Sequence, residues 1–411
     1  MGEAKRARPA GFREVFAVAE FRALWFAEVQ SVLGDQLARV AISVLVFQRT
    51  GSAGLTSLTY ALTFVPDLVG GPLLSGLADR LPRRTVMVAA DLLRAALIGL
   101  MAIPAVPLPA LAVLLVAAQL CNSPFAAAQA ATVPTVLAGD SYILGQTVRQ
   151  MTTQIGQLVG FVAAGVLVAL IGSHRALAID ALTFLVSAAV IRFGLVHRPA
   201  VTGRDGAEPV RSVFGQMIAG ARIIWRDRRL RSLVGLGWLV GFAIVPEGLA
   251  VPYADEIGAG TAAVGLLLAA VPAGTVVGAF VLGRFVPPQR RLVLLGPLAV
   301  LTPAPLIAYV FRPELVPAVL LLLTMGLFSA YQVTAGATFI RMVPDAGRGQ
   351  AFGLAGSGLI AAQGLGLAAG GLLASVLGSV AVTIAVAGAA GTLLAVPAAA
   401  AWHRARTSGE R

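Results

Sequence analysis

The chain has 411 residues, 58% hydrophobic and 12% charged, whereas a soluble domain is about 25% charged; a water-soluble fold is excluded. A formal charge of +12 on a chain of mean hydropathy +0.86 marks membrane sidedness and not a nucleic-acid partner. The only lysine, Lys5, leaves no Walker-type phosphate loop, and Cys121 with His174, His197 and His403 leaves no disulfide scaffold, zinc site or HExxH pair. We expect no cofactor and no enzyme, since no nucleophile–base pair stands out.

Charges, prolines and glycines divide the chain into twelve apolar runs long enough to span a bilayer. They lie near 21–47, 53–76, 85–104, 108–133, 147–172, 175–197, 230–254, 262–284, 291–311, 314–339, 350–376 and 379–401. The reading is an all-α membrane protein of twelve transmembrane helices in two six-helix bundles related by pseudo-two-fold symmetry. It comprises an N-terminal segment (1–20), a first bundle (21–197), a linker (198–229), a second bundle (230–402) and a tail (403–411). The basic N-terminal stretch has no short apolar core with a cleavage site, so the first span is expected to stay as an anchor.

Sidedness follows from the bases. With the N-terminus in the cytoplasm, Arg49, Arg175 and Arg312 alone fall outside, Arg39 and Arg94 lie within spans, and the rest of the 31 lysines and arginines stay inside. Positive loops remain cytoplasmic, so both termini are expected there. The linker contains Val213, Met217, Ala221, Ile224 and Leu230 near one helical face with arginines opposite, which predicts a helix lying on the inner membrane surface; a solvated linker is the plainer alternative.

An ungapped internal match supports the six-plus-six division. Residues 156–173 align with 362–379, pairing Gln157 with Gln363, Gly160 with Gly366, Gly165 with Gly371 and Gly172 with Gly378. The glycine runs at Gly235, Gly237 and Gly241 and at Gly364, Gly366 and Gly370 lack dinucleotide spacing and predict close-packed helix faces. Duplicated helical bundles with a site between them are a transporter design.

The loop after the second span reads Ser75-Gly76-Leu77-Ala78-Asp79-Arg80-Leu81-Pro82-Arg83-Arg84. It resembles motif A of the major facilitator superfamily, with Ser75 at the first glycine and Pro82 at the second. Phe21-Arg22-Ala23-Leu24-Trp25, Asp91-Leu92-Leu93-Arg94, Pro246-Glu247-Gly248-Leu249 and Val343-Pro344-Asp345 are similar to the macrolide-efflux and enterobactin-exporter branch, a drug:proton antiporter group. In the family, motif A latches the bundles at the cytoplasmic face. The resemblance therefore implies a gate of Asp79, Arg80, Arg83 and Arg84, with Asp79 facing the start of the eleventh span near Gly349 and Arg83 or Arg84 pairing with an acid. The plainer reading is that the arginines only set topology.

Each ionisable group at bilayer depth costs roughly 2.5 to 3.5 kcal/mol, so each asks for a partner or a use. Glu28, Asp35 and Arg39 share one stripe of the first span. Asp35 lies near the midplane and is the leading proton-coupling or substrate site, with Glu28 as a relay; an Asp35–Arg39 pair one turn apart is the structural alternative. Glu247 after Pro246 ranks next and Asp67 after Pro66 third, because a proline breaks the helix where transporters bind. Asp91 and Arg94 are spaced to pair on one helix, and Asp180 is expected to be structural. Trp238, Phe242, Tyr331 and Gln332 are candidate cavity residues, with packing as the rival role.

These readings converge on a monomeric multi-pass protein of the bacterial inner (cell) membrane. It would export a bulky hydrophobic molecule, such as a drug, a macrolide-like antibiotic or a siderophore, in exchange for protons, and so confer multidrug resistance. An importer or symporter of a small metabolite and a channel-like facilitator are the alternatives.

Overall fold

The computed structural model describes residues 11–66, 81–199 and 213–408, and the described residues form helices joined by short loops, with no strand. Ten helices among them are long and apolar enough to cross a membrane. The first, Ala19–Thr50, extends past both expected ends, and the fifth, Asp140–Ile171, begins well before its expected start. Two of the twelve runs fall short of that measure for identifiable reasons. The second begins as Ala53–Leu62 and then runs beyond the described residues. The third, Arg83–Met101, carries Arg84, Asp91 and Arg94 within any span-length window.

Corners at the end away from the linker reuse one device. The first span ends at Gly51 and the eleventh at Gly378, each in the left-handed conformation with φ of 62° and 65°. Glycine enters that region without a Cβ penalty and closes the last helical turn. Ser52 and Ser379 follow directly, and their side chains accept the backbone N–H of Leu55 and Val382 to start the next helix. Glu256, at the end of the seventh span, adds its carboxylate to the N–H groups of Val380 and Ala381.

The seventh span is broken into Arg228–Trp238, Val240–Ala243, Val245–Gly248 and Ala250–Glu256. Pro246 supplies no N–H and its ring crowds the preceding turn, so continuous hydrogen bonding fails around Glu247. A helix does form in the linker, at Val213–Arg226. Gly220 lets it lie directly on the backbone of Gln350 at the start of the eleventh span, and Ile224 is buried.

Among the described residues, the two bundles come backbone to backbone at the end opposite the linker. There the fifth and eighth spans meet at Gly165 and Gly265, where a side chain on either would strike backbone. The second and eleventh meet at Gly54 and Gly371, beside a buried hydrogen bond of 2.7 Å from the Ser57 hydroxyl to the Leu367 carbonyl. Within the second bundle Gly241 and Gly366, one from each glycine run, pack backbone on backbone, the close approach expected of such runs.

Candidate functional site

A cavity of about 380 Å³ lies between the bundles. Gln154 and Gln157 of the fifth span line it on one side, and Glu247, Gln332 and Gln363 of the seventh, tenth and eleventh spans on the other. Gln157 and Gln363, equivalent in the internal match, thus bring one carboxamide from each half to the same cavity. Thr275 and Ser329 complete a polar band within otherwise apolar walls, and their hydroxyls are hydrogen-bonded at 2.9 Å. A cavity of about 260 Å³ shares Gln332 and continues along the seventh, tenth and eleventh spans, lined by Trp238, Phe339 and Phe352. Mixed walls of this kind suit an amphipathic guest, with apolar area for contact and few polar groups for orientation.

Glu247 accepts a 3.1 Å hydrogen bond from the Tyr60 hydroxyl of the second span, so this contact joins the two bundles. The Arg39 guanidinium stands 5.9 Å from the Tyr60 ring centroid and 5.6 Å from that of Phe64, and it interacts electrostatically with Glu247. The alternative of an Asp35–Arg39 ion pair is not formed: Arg39 turns to the aromatic pair on the second span and feels Asp35 only at longer range.

Asp35 instead pairs with Arg94 of the third span, whose side chain is 1% exposed. The same guanidinium donates to the Ser31 hydroxyl at 3.3 Å and lies 4.1 Å from the Phe184 ring centroid. Asp91 and Arg94, spaced to pair on one helix, form no direct ion pair and interact only at longer range. Asp91 turns to the sixth span and accepts a 2.6 Å hydrogen bond from the Ser187 hydroxyl. Cross-helix partners win in both cases because packed neighbours present groups closer than the next turn of the same helix.

Glu28 forms a 2.6 Å ion pair with Arg149 of the fifth span, and Arg149 also donates to the side-chain oxygens of Gln129 and Gln146. This network ties the first, fourth and fifth spans together. Sequence reasoning assigned Arg149 to an inner loop, because the expected start of the fifth span lay too close to it.

The motif A expectation is changed for its described arginines. Arg83 donates to the Ala131 carbonyl at 2.6 Å and Arg84 to the Leu195 carbonyl at 3.0 Å. Neither meets an acid among the described residues: both donate to carbonyls near the ends of the fourth and sixth spans. Asp79, Arg80 and Asp67 lie outside the described residues. Arg291, at the start of the ninth span, likewise donates to the Val286 and Gly283 carbonyls at 2.7 Å.

The aromatic candidates divide. Trp238 lines the extension and donates from its indole to the Ala355 carbonyl at 3.2 Å. Phe242 faces a separate groove between the seventh, eleventh and twelfth spans. Tyr331 is buried in the second bundle and gives its hydroxyl to the Leu236 carbonyl, a packing position away from the cavity. Tyr60, Gln154, Gln157 and Gln363 were not anticipated as site residues; for the last two, the signal was their equivalence in the repeat.

A family model for the Major Facilitator Superfamily matches residues 24–322. Macrolide efflux protein A of Streptococcus pyogenes is 23% identical over 283 residues, covering 67% of this chain and 69% of that protein. The crystal structure of a mutant of the nucleoside transporter NupG superposes with a TM-score of 0.73 at 14% identity, covering 94% of this chain and 99% of that one. A bacterial homologue of the human lysosomal transporter Spinster, inward-facing and occupied, gives 0.73 at 14% identity, covering 98% of each. These superpositions speak to the fold alone.

Proposed function

Because the chain belongs to the Major Facilitator Superfamily, we propose that it is a proton-coupled exporter of a bulky, largely hydrophobic small molecule, working by alternating access. The observation that carries this reading is Glu247: it sits at a broken helix, lines the cavity between the bundles and accepts the Tyr60 hydroxyl from the opposite bundle. An ionised Glu247 attracts Arg39 and holds the two bundles together across the cavity. Protonation removes that attraction, so the charge state of one carboxyl biases the relative position of the bundles. A single-site acid of this kind links proton entry to closure and release.

Export of an apolar cargo is supported by the resemblance to a macrolide efflux protein and by the mixed walls of the cavity and its extension. Close contact at the end away from the linker, with cavities extending toward the linker, supports a state open to the cytoplasm. The distribution of lysine and arginine supports a multi-pass protein of the bacterial cell membrane with both termini inside. We read it as a monomer that moves its substrate without altering it.

The test is flux into proteoliposomes under an imposed pH gradient, with cargo chosen by a susceptibility panel of drugs, macrolides and siderophores on cells with and without the gene. Glu247→Gln is expected to abolish gradient-driven accumulation. Accumulation that continues unchanged in this variant overturns the coupling assignment, and accumulation in the reverse sense overturns export.

A further inference from the structure

Three carboxylates and one guanidinium share the interior of the first bundle. Asp35 comes from the first span, Asp91 and Arg94 from the third and Asp180 from the sixth; Asp91 and Asp180 are wholly buried. Gly34 makes the arrangement possible, since a side chain there would overlap the Asp180 carboxylate. With all four ionised, the group would carry two uncompensated negative charges at bilayer depth. Arg94 pairs directly with Asp35 and acts on Asp91 and Asp180 only at longer range, while among the described residues Asp91 accepts the Ser187 hydroxyl and Asp180 that of Thr183.

A second observation points to what is missing. Asp91 Oδ1 and Asp180 Oδ2 are buried and have no hydrogen-bond partner among the described residues. One guanidinium shared at a distance cannot offset three carboxylates, a buried carboxylate oxygen without a donor is costly, and the ordinary remedy is to bind a proton. A metal ion is the other remedy, yet the described residues contain no group of three acids, histidines or cysteines able to hold one. The other charged or titratable groups that interact here are Cys121 of the fourth span, which feels Arg94, and Arg39, which feels Asp35; neither compensates Asp91 or Asp180.

We propose that Asp35, Asp91 and Asp180 with Arg94 form a proton-holding centre inside the first bundle, separate from the cavity acid and neutral when two protons are bound. Asp91 and Asp180 carry the protons in the state described, and Asp35, whose side chain is 24% exposed, is the point of exchange. A proton passing from Asp180 to Asp35 leaves a carboxylate on Asp180, which takes over the guanidinium as neutral Asp35 gives it up. Charge is conserved at each step, and the bundle interior never holds an unpaired anion. The centre's use in transport rests on the proton-coupled reading above, but its proton occupancy does not.

The experiment is infrared spectroscopy of the purified full-length protein, reading the carbonyl stretch of protonated carboxyl groups at neutral pH. A Glu247→Gln background removes the cavity acid. In that background the expected signal corresponds to two protonated carboxyls, falls by half in Asp91→Asn or Asp180→Asn, and disappears when both are changed. If the doubly changed protein does not fold, the Glu247→Gln protein alone decides by comparing sodium with a large organic cation as the salt. A band of the same intensity in both supports proton occupancy. No protonated band, or one that sodium removes, overturns it. Absence of the band while pH-driven flux persists sinks the centre alone, whereas a band without pH-driven flux sinks the coupled-export reading and leaves the centre standing.

Discussion

In the first bundle, helices are joined through charge: Asp35 to Arg94, Glu28 to Arg149, and Asp91 to the Ser187 hydroxyl. In the second, the eighth and tenth spans are joined by bare backbone. Gly274 and Gly278 lie against the carbonyls of Leu323 and Leu327, and Gly326 lies against that of Val271. Duplication copied the path of the chain and the paired glutamines, but not the means of adhesion. The difference is instructive because charge contacts respond to protons and glycine contacts do not. The proposed proton centre would let the first bundle sense pH in its interior, while the second offers the cavity one acid among the described residues, Glu247.

The comparison breaks most sharply at Arg94. Replacing it with Met strands Asp35, and removing one partner of a buried ion pair costs about 3–5 kcal/mol. Thermal unfolding in detergent should show a loss of that order at neutral pH. The sign with pH is fixed: the loss shrinks as pH falls, because protonating Asp35 removes the stranded charge, and Asp35→Asn in the same chain should recover part of it. A loss independent of pH would mean that packing on Phe184, not charge, dominates.

The matching change in the second bundle is Gly326→Leu, which forces a side chain into the Val271 backbone. Overpacking of this kind costs about 1–3 kcal/mol, and here the loss should be the same at every pH. A pH-dependent loss would erase the contrast between the bundles. The smallest effect is expected at Glu20, which pairs with Arg198 at 2.7 Å where the guanidinium is 40% exposed. Glu20→Gln should cost about 0.2–1 kcal/mol, as exposed pairs do, and the difference from wild type should fade in high salt.

Much of this organisation was visible in residue order. Runs of apolar residues located the helices, Pro246 located the break in the seventh span, and the match of 156–173 to 362–379 placed Gln157 and Gln363 in equivalent positions. The partners of the buried charges were not visible. Helical periodicity specifies which residues share a face of one helix; it is silent on which neighbour that face meets. Asp35 with Arg39 and Asp91 with Arg94 are therefore the natural pairs along the chain, whereas in the fold both are displaced by Arg94 reaching Asp35 and by Ser187 reaching Asp91. The motif A arginines follow the same logic, since the carbonyls of Ala131 and Leu195 come within reach only once the fourth and sixth spans pack beside the third.

The glycine contacts that close the end opposite the linker, Gly165 on Gly265 and Gly54 on Gly371, set how that end can come apart. At these points backbone meets backbone, beside the Ser57–Leu367 hydrogen bond, so much of the attraction there depends on near-touching surfaces. Dispersion at such contacts loses a quarter to a half of its strength over a gap of about 0.5–1 Å. Adhesion at these points is therefore brittle and not elastic: a slight parting removes up to about half of the dispersion that resists further parting. Such a seal passes from shut to open over a very short travel, with few half-open arrangements through which protons could leak.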